Sequence, residues 1–318
     1  MYSTMKKLFV MVVALMAVCS LSAQDVKSAY NEAAAAYGAK NHKLAIEKFQ
    51  QVIELGIDSE DPADASLVAT AKKTMPKCYY QLGGSAFKAK NYDVALANFQ
   101  QSAETAELYG EMQQMTKSKQ WVAKVYQSQG GEAYNNKDYA TASAIFAKGY
   151  EADPDNTAMA LNLAMSYCEM GEFEKGIEVY DAIASKTHPK YAEHAAKAKE
   201  MMNLYTNNKV AELQGAGDFD AIIALADKQL EKNPANALFQ SVRVQAYLGK
   251  KEYAKVIELA PAAAEAQTDE ADKSTVYYQL ASAHNALSQR EQAIAAFQKV
   301  TAGPAAENAK AALAELNK

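Results

Sequence analysis

Residues 37–51 read YGAKNHKLAIEKFQQ, and residues 87–101 read FKAKNYDVALANFQQ. The two stretches share, in register, an aromatic residue, a polar break at Lys-Asn, an alanine and a phenylalanine. A related stretch, AIAAFQKV, occupies residues 293–300 near the other end of the chain. Such self-similarity is typical of repeat proteins, in which each module packs chiefly against its neighbours. The sequence therefore predicts a repeat architecture.

The apolar residues of the first copy recur at helical spacing. Val26, Tyr30, Ala33 and Tyr37 are three or four residues apart, and a second apolar set resumes after a break at 38–41. This period is that of an amphipathic α-helix. The composition also favours helix, and strand-like alternation persists nowhere. Each copy therefore predicts two helices joined by a short turn.

The segment from residue 126 to residue 154 most fully resembles the tetratricopeptide repeat, a helix-turn-helix of about 34 residues. Its sparse signature places an aromatic residue and a glycine in the first helix, then Ala-x-x-x-aromatic in the second helix, then proline. Tyr126, Gly130, Ala142, Phe146 and Pro154 stand at these spacings. The resemblance implies an all-α fold, a right-handed α-solenoid of helix-turn-helix units.

Measuring the repeats by the spacing of the Ala-x-x-x-aromatic pair predicts about seven units along residues 24–318. The second, third and fifth units exceed 34 residues by about three to four helical turns, and the added residues are themselves periodic. We therefore expect elongated first helices there, with a kink or break at Pro76 as an alternative in the second unit. The predicted units are residues 26–57, 62–108, 110–155, 157–188, 190–234, 236–268 and 272–304, and a C-terminal capping helix follows at 305–318.

Residues 1–23 are predicted to be a secretory signal peptide. Lys6 and Lys7 precede an apolar run from Leu8 to Val18, and small residues follow up to Ala23. The run is too short for a stable membrane span, which needs about twenty apolar residues. We therefore expect export to the periplasm or another part of a bacterial cell envelope. A lipid anchor at Cys19 is an alternative that Val18 disfavours, because lipoprotein signals usually carry a small residue there.

Catalytic and metal-binding motifs are missing from the sequence. It contains no HExxH, GxSxG, GxxxxGK[ST] or CxxC pattern, and none of its four histidines has a second ligand at helical spacing. We therefore expect no enzymatic activity, no catalytic residue, no cofactor and no metal. The glycine pairs at 83–84 and 130–131 are interpreted as close helix contacts, since both lie within predicted helices.

The charge and the cysteine content of the chain further limit the expected kinds of partner and bond. The chain carries 33 Lys and Arg against 38 Asp and Glu, so nucleic acid, which usually needs a basic stripe, is not an expected partner. Cys78 and Cys168 lie two predicted units apart, too far for a disulfide, and are expected to be packed thiols. In the acidic loop at 58–66, Asp61 and Pro62 are expected to start a helix.

The candidate site is a stripe that recurs on the predicted first helices, in which aromatic residues flank a small residue at i, i+4 and i+7. Rings supply contact area with little loss of entropy, and a small residue between them lets a partner backbone approach. A lysine one turn before each of the first three stripes is suited to anionic groups. The predicted partner-binding residues are Tyr30, Tyr37, Tyr80, Phe87, Tyr134, Tyr278, Lys27, Lys77 and Lys124.

The resemblance implies that first helices line a concave groove that binds a protein or peptide, as in a non-catalytic scaffold or adaptor. Three alternatives remain open from the sequence. A carbohydrate or small molecule would stack on the same rings, an architectural envelope component would make its contacts on the convex face, and the stripe would otherwise serve only packing between helices.

Overall fold

The computed structural model of the chain describes residues 25–317. Within that range it contains fifteen α-helices and one 3₁₀ turn, and no strand. The predicted all-α fold of tetratricopeptide-like helix pairs is therefore confirmed. The predicted signal peptide at 1–23 and the alternative anchor at Cys19 lie outside the described residues.

The helices follow one another as helix-turn-helix pairs, with a last helix after the seventh pair. The first eight are α1 Val26–Gly38, α2 His42–Gly56, α3 Pro62–Lys88, α4 Tyr92–Leu108, α5 Met112–Asn135, α6 Tyr139–Ala152, α7 Thr157–Glu169 and α8 Phe173–Ala184. After the 3₁₀ turn at Pro189–Tyr191 come α9 Ala192–Gly215, α10 Phe219–Lys232, α11 Ala237–Gly249, α12 Tyr253–Glu265, α13 Glu270–Ala286, α14 Arg290–Phe297 and α15 Ala305–Leu316.

The chain forms two compact units, one up to Val179 and one from Tyr180 onward. In the first unit α1 to α7 pack in chain order, and α1 also contacts α3, as α3 contacts α5. In the second unit α9 to α14 pack in chain order, α11 contacts α13, and α15 covers α13 and α14. The first helices α1, α3 and α5 therefore lie side by side in the first unit, as α11 and α13 do in the second. The predicted capping helix is present as α15.

Three first helices are elongated, as the repeat spacing predicts. The helix α3 has 27 residues, and α5 and α9 have 24 each. Asp61 starts α3 by accepting a hydrogen bond from the backbone N–H of Ala63 at 2.8 Å, which confirms the predicted helix start at Pro62. Pro76 lies inside α3 without ending it, so the predicted alternative of two separate helices is wrong.

The turns of the first three pairs explain the repeated Lys-Asn break. Asn41 and Asn91 cap α2 and α4 by accepting hydrogen bonds from backbone N–H groups at 3.3 and 3.4 Å. Each is preceded by a lysine in the left-handed region, Lys40 at φ 59° and Lys90 at φ 57°, and Lys137 before α6 has φ 60°. This conformation strains an L-residue, so the two-helix turn is held by packing and capping.

In each helix pair, the residues of the Ala-x-x-x-aromatic motif form part of the core. Ala45 and Ala95 are fully buried on α2 and α4, and Phe49 and Phe99 next to them are no more than 2% exposed. The alanine lets the first helix approach closely, and the ring fills the space below it. Burial of such a side chain contributes about 1.5–3 kcal/mol, so each buried phenylalanine stabilises its hairpin.

Cys78 and Cys168 are free thiols, as predicted. Cys78 is buried and Cys168 is half-buried. Burial raises the pKa of each thiol to about 12. Among the described residues, no helix combines the length and the apolar character needed to cross a bilayer.

Candidate functional site

The six predicted partner-binding rings are half-buried, and all lie on first helices. Helices α1 and α3 contribute two rings each, and α5 and α13 contribute one ring each. Because α1, α3 and α5 lie side by side in the first unit, five of the six rings belong to one stretch of neighbouring helices. They are Tyr30, Tyr37, Tyr80, Phe87 and Tyr134.

One side of several predicted rings packs on the phenylalanine of the same hairpin. Tyr30 meets Phe49 edge-on with ring centroids 6.2 Å apart, and Tyr80 meets Phe99 at 5.4 Å. Tyr278 in the second unit repeats this contact with the phenylalanine of α14 at 5.5 Å. Edge-on contact is a favoured geometry for aromatic pairs. The rings therefore stabilise their hairpins, and only their outer parts remain available to a partner.

A tryptophan that the predicted site does not include packs beside two rings of the α3 stripe. Trp121 on α5 lies 6.2 Å from Tyr80 and 5.3 Å from Phe87, measured between ring centroids. All three side chains are half-buried. We call Tyr80, Phe87 and Trp121 the aromatic face. The face is assembled from two first helices, so no single repeat shows it.

The sequence carries two signals for Trp121. It is the only tryptophan of the chain, and it lies three residues before Lys124, which the stripe already includes. Its place in the apolar period of an elongated helix hides that role, because the same period predicts a core residue.

The three predicted lysines occupy different surroundings. Lys124 is exposed, and its Nζ lies 4.5 Å from the centroid of the Trp121 ring. An ammonium over an indole ring is an attractive cation–π contact. Lys27 is exposed on α1, and Lys77 is half-buried on α3. The structure therefore brings Lys124 to the aromatic face directly.

The glycine pairs divide into a packing glycine and a surface glycine. A Cβ added to Gly83 would lie 2.9 Å from the Phe99 ring, and one added to Gly130 would lie 2.6 Å from the Phe146 ring. A Cβ at Gly84 or Gly131 would meet nothing within 4 Å. The predicted role in close helix contact is confirmed for the first glycine of each pair, and it is wrong for the second. Gly84 instead leaves open space between Tyr80 and Phe87.

Polar contacts hold one edge of the aromatic face. Lys90 Nζ donates to Glu132 Oε1 at 2.9 Å, and the Tyr92 hydroxyl donates to Glu132 Oε2 at 2.9 Å. These hydrogen bonds, that from Lys90 first, lower the pKa of the Glu132 carboxyl. Tyr92 also lies 6.0 Å from Phe87 between ring centroids. The contacts join the α3–α4 turn to α5, and so position Phe87 beside the helix that carries Trp121.

A polar cleft of about 550 Å³ lies within the second unit, where the sequence predicts only Tyr278. Carboxamides line it from three first helices, with Asn203 and Asn207 on α9, Gln245 on α11 and Gln279 on α13. None of the described side chains that line it is aromatic. The signal that could have found it is the pair of asparagines four residues apart on an elongated helix, which places both on one face.

One rim of the cleft is fixed by an asparagine clasp. Asp181 accepts hydrogen bonds from Asn233 Nδ2 at 3.2 Å and from Asn236 Nδ2 at 3.1 Å. Asn236 also caps α11 through its Oδ1, which accepts from the backbone N–H of Phe239 at 3.4 Å. The clasp ties the end of α8 to the α10–α11 turn.

Desolvation raises the pKa of the Asp272 carboxyl, on α13, and the nearby Asp269 adds to the shift. Asp272 also lines the cleft. Within residues 25–317, no group of three or more His, Cys, Asp or Glu side chains is placed to hold a metal ion.

Comparison with known families gives two matches to tetratricopeptide-repeat models, one over residues 133–200 and one over residues 274–302. The chain therefore contains tetratricopeptide repeats. The first match includes Tyr134 and the second includes Tyr278. Comparison with curated protein sequences gives no match.

Solved structures similar to this chain include the TPR2AB domain of yeast Sti1 in its pHSP90 complex, with 15% identity and a TM-score of 0.32 over 92% of this chain and 98% of that one. A tetratricopeptide-repeat protein from Parabacteroides merdae has 12% identity and a TM-score of 0.31, over 85% and 99% of the two chains. Yeast Tom70 has 13% identity and a TM-score of 0.36, over 95% and 67%. With these low scores, the repeat-model matches carry the assignment.

Proposed function

We propose that this tetratricopeptide-repeat protein is a non-catalytic scaffold that binds a protein or peptide partner on the aromatic face. The observation that carries the proposal is the meeting of Tyr80, Phe87 and Trp121 from two neighbouring first helices. Aromatic side chains are enriched at the centres of protein interfaces because they bury much area at a small entropy cost. A rigid pair of packed helices holds them in place before a partner arrives.

The chemistry of the face selects the kind of segment that fits. Gly84 leaves space between Tyr80 and Phe87, so a partner backbone can approach the rings there. Lys124 and Lys77 lie on the same two helices, which favours acidic groups beside the apolar anchor. We therefore propose an apolar segment with acidic residues as the partner, and binding that weakens as salt screens the lysines.

A sugar stacked on Trp121 is less favoured by the geometry. The Phe99 ring stacks on the indole at 5.3 Å with planes 22° apart, and the Lys124 ammonium lies over the same ring. A sugar would have to displace the lysine in order to reach an indole face. A peptide that contacts ring edges needs no such displacement.

Site-specific photo-crosslinking in intact cells tests the proposal. A photoreactive residue replaces Gln127, which is exposed on α5, and a matched control replaces Gln100, which is exposed on α4. We expect one protein adduct from position 127 and none from position 100. Lys124→Glu changes an exposed charge and should reduce that adduct without loss of helicity. Equal adducts from both positions, or an adduct unchanged by Lys124→Glu together with Phe87→Ala, would argue against the aromatic face.

The proposed setting is the bacterial cell envelope. It rests on the predicted signal at residues 1–23, with Lys6 and Lys7 before the apolar run. N-terminal sequencing of the protein purified from cell fractions tests this step. We expect a mature chain that begins after Ala23 in the periplasmic or envelope fraction. A chain that keeps Met1 in the cytoplasmic fraction would refute export. That result would not bear on the proposal that the aromatic face binds a partner.

A further inference from the structure

We infer that the first unit associates head to tail with a second copy of this chain, through two opposite edges of its helix pairs. Consecutive helices of this unit pack against one another and are joined by short turns, so their directions alternate. The turns within pairs therefore lie at one edge, and the turns between pairs lie at the opposite edge. We call residues 38–44, 88–94 and 135–141 the basic edge, and residues 54–64, 104–111 and 151–155 the acidic edge.

The two edges carry opposite charge. The basic edge contains five lysines and two aspartates, and all five lysines are exposed. The acidic edge contains eleven Asp and Glu residues and no Lys or Arg. A second copy of the chain therefore offers each edge a surface of the opposite charge, which favours their association. The lysines of the basic edge are Lys40, Lys43, Lys88, Lys90 and Lys137.

Exposed apolar side chains lie at both edges. Leu108, Ile57 and Met112 are 66%, 58% and 56% exposed, which makes them the most exposed large apolar side chains that the structure describes. The first two belong to the acidic edge, and Met112 directly follows it. Leu44 and Val94 are exposed at the basic edge. Contact between the edges would remove these side chains from water, and an apolar centre with a charged rim is the usual composition of a protein interface.

Contacts between neighbouring turns make each edge continuous. At the acidic edge, Tyr109 packs against the core that α1, α2 and α3 share. Desolvation raises the pKa of the Tyr109 hydroxyl, and the charge of Glu54 at the end of α2 adds to the shift. At the basic edge, Lys90 forms an ion pair with Glu132, near the end of α5, at 2.9 Å. Successive turns therefore lie beside one another at each edge.

The backbone of the basic edge gives an independent indication that its lysines have a role. Lys40, Lys90 and Lys137 each have φ between 57° and 60°, a conformation that glycine adopts without steric cost. Lysine is strained at all three positions, and a strained residue that persists points to a function of its side chain. The next turn within a pair carries Gly171 and then Glu172. The basic edge thus ends after three turns, as many as the acidic edge has.

The repeat spacing matches the two edges to one another. Lys40, Lys90 and Lys137 follow at intervals of 50 and 47 residues, and a glutamate lies 14 residues after each of them. Both edges therefore repeat with the same helix pairs, so each basic turn of one copy can face an acidic turn of another. A partner with one basic or one acidic surface would suit only one edge. Because the contact joins two different surfaces, it leaves one edge of each kind free and extends into chains.

Sedimentation velocity of the full chain over a hundredfold range of concentration tests the inference. At low salt we expect the average mass to rise with concentration and to pass that of a dimer. The association constant should fall about tenfold when sodium chloride is raised from about 0.05 M to about 0.5 M, because salt screens the exposed charges.

Two variants test the head-to-tail arrangement. Val94→Glu places a negative charge in the basic edge, and Leu108→Lys places a positive charge in the acidic edge. Both positions are exposed, so the fold should be kept while self-association weakens at least about tenfold, because like charges then meet. Each variant retains one intact edge, so an equimolar mixture of the two should associate although neither does so alone.

Matched controls carry the same charges elsewhere. Gln100→Glu changes an exposed residue of α4 outside both edges, and Leu204→Lys changes an exposed apolar residue of the second unit. Both should leave the association constant within about twofold. Lys124→Glu also lies outside the edges, so it should reduce the adduct at the aromatic face and leave self-association unchanged. Val94→Glu should have the reverse effect, which separates this inference from the proposed function.

Several outcomes would overturn the inference. They are a monomer at every concentration, self-association that salt does not weaken, or an effect of Leu204→Lys as large as that of Leu108→Lys. Failure of the mixture to associate would show that any contact between copies uses the same surface on both. Binding of the monomer to vesicles of anionic lipid, lost in Lys40→Gln with Lys137→Gln, would assign the basic edge to a membrane instead.

Discussion

Trp121 lies nearly flat against Phe99, with ring centroids 5.3 Å apart and planes that differ by 22°. The other ring contacts of the aromatic face are edge-on, with interplanar angles of 69° between Tyr80 and Phe99 and 81° between Phe87 and Trp121. Phe99 belongs to α4 and Trp121 to the next first helix, α5. The stacked pair therefore joins two neighbouring repeats, and the aromatic face is formed by residues of both.

The single tryptophan gives a direct spectroscopic report on the aromatic face. We expect a partner bound at Tyr80 and Phe87 to change the wavelength or intensity of Trp121 emission, because the half-buried indole would lose water contact. Asn207→Ala, a substitution in the second unit, should leave the emission of the free chain unchanged. Fluorescence spectra of the variant and titration with the partner check both statements. A partner that binds at Tyr80 and Phe87 without any change in emission would contradict the place of Trp121 in the aromatic face.

The lysines in left-handed turns predict a substitution that stabilises the protein. Lys137 has φ 60°, whereas Gly171 and Gly217 occupy corresponding turns with φ 80° and 71°. Glycine adopts this region without steric cost, and an L-residue there costs about 1–2 kcal/mol. Lys137→Gly should therefore raise the free energy of unfolding by about 1 kcal/mol.

Urea denaturation checks this change, with Lys90→Gly as a comparison. Lys90 has the same backbone strain but also donates to Glu132, so its gain should be smaller. A loss of stability in Lys137→Gly would mean that its side chain contributes more than its backbone conformation costs.

Much of the fold follows from the sequence because local signals agree with one another. The Ala-x-x-x-Phe pairs, such as Ala95 and Phe99, predict a contact within one hairpin. The capping residues Asn41 and Asn91 predict a turn that is a few residues long. The excess length before the second unit also predicts the elongated α3. Each signal depends on residues that are close in sequence, so periodicity is enough to reveal it.

The sites follow from the sequence only in part, because they depend on which residues meet across repeats. The stripe identifies Tyr80 and Phe87, yet the position of Trp121 beside them depends on the packing of α5 against α3. The cleft combines Asn207 and Gln279, which are far apart in sequence and follow no repeat signature. The stripe places Gly84 between Tyr80 and Phe87, whereas the packing role of Gly83 depends on the Phe99 ring, which comes from the next helix.

The buried thiols predict a loss of stability in alkaline solution. Burial raises the pKa of Cys78 from its ordinary value of 9.0 to about 12. Between these pH values the unfolded chain releases the thiol proton while the folded chain keeps it, so the folded state binds more protons and its stability falls as pH rises. The contribution is fully present below pH 9 and is lost as pH rises to about 12.

Urea denaturation across that pH range checks the thiol prediction. The slope contributed by one thiol is at most about 1.4 kcal/mol per pH unit. Cys78→Ala should lose less stability than the unchanged protein between the lower and upper ends of the range. Alkylation by iodoacetamide should be slow until the chain unfolds, because the reactive thiolate is scarce in the folded state. Rapid alkylation of folded protein at Cys78 would contradict this.

The glycine pair of α3 allows packing and partner access to be measured with two adjacent substitutions. A methyl group at Gly83 would lie 2.9 Å from the Phe99 ring, so Gly83→Ala should destabilise the protein by about 1–3 kcal/mol through overpacking. Gly84→Ala meets nothing within 4 Å and should stabilise the helix by up to about 1 kcal/mol. Thermal and urea denaturation of both variants give these values.

Substitutions of Gly84 also distinguish an effect on stability from an effect on binding at the aromatic face. If a partner backbone approaches between Tyr80 and Phe87, then a larger side chain in that gap should block it, so Gly84→Leu should abolish the adduct formed from position 127 in a fully folded protein. Gly84→Ala should reduce the adduct less, because its methyl group fills less of the gap. A stable Gly84→Leu protein that still forms the adduct in full would show that the partner contacts the outer ring edges alone and leaves the space at Gly84 empty.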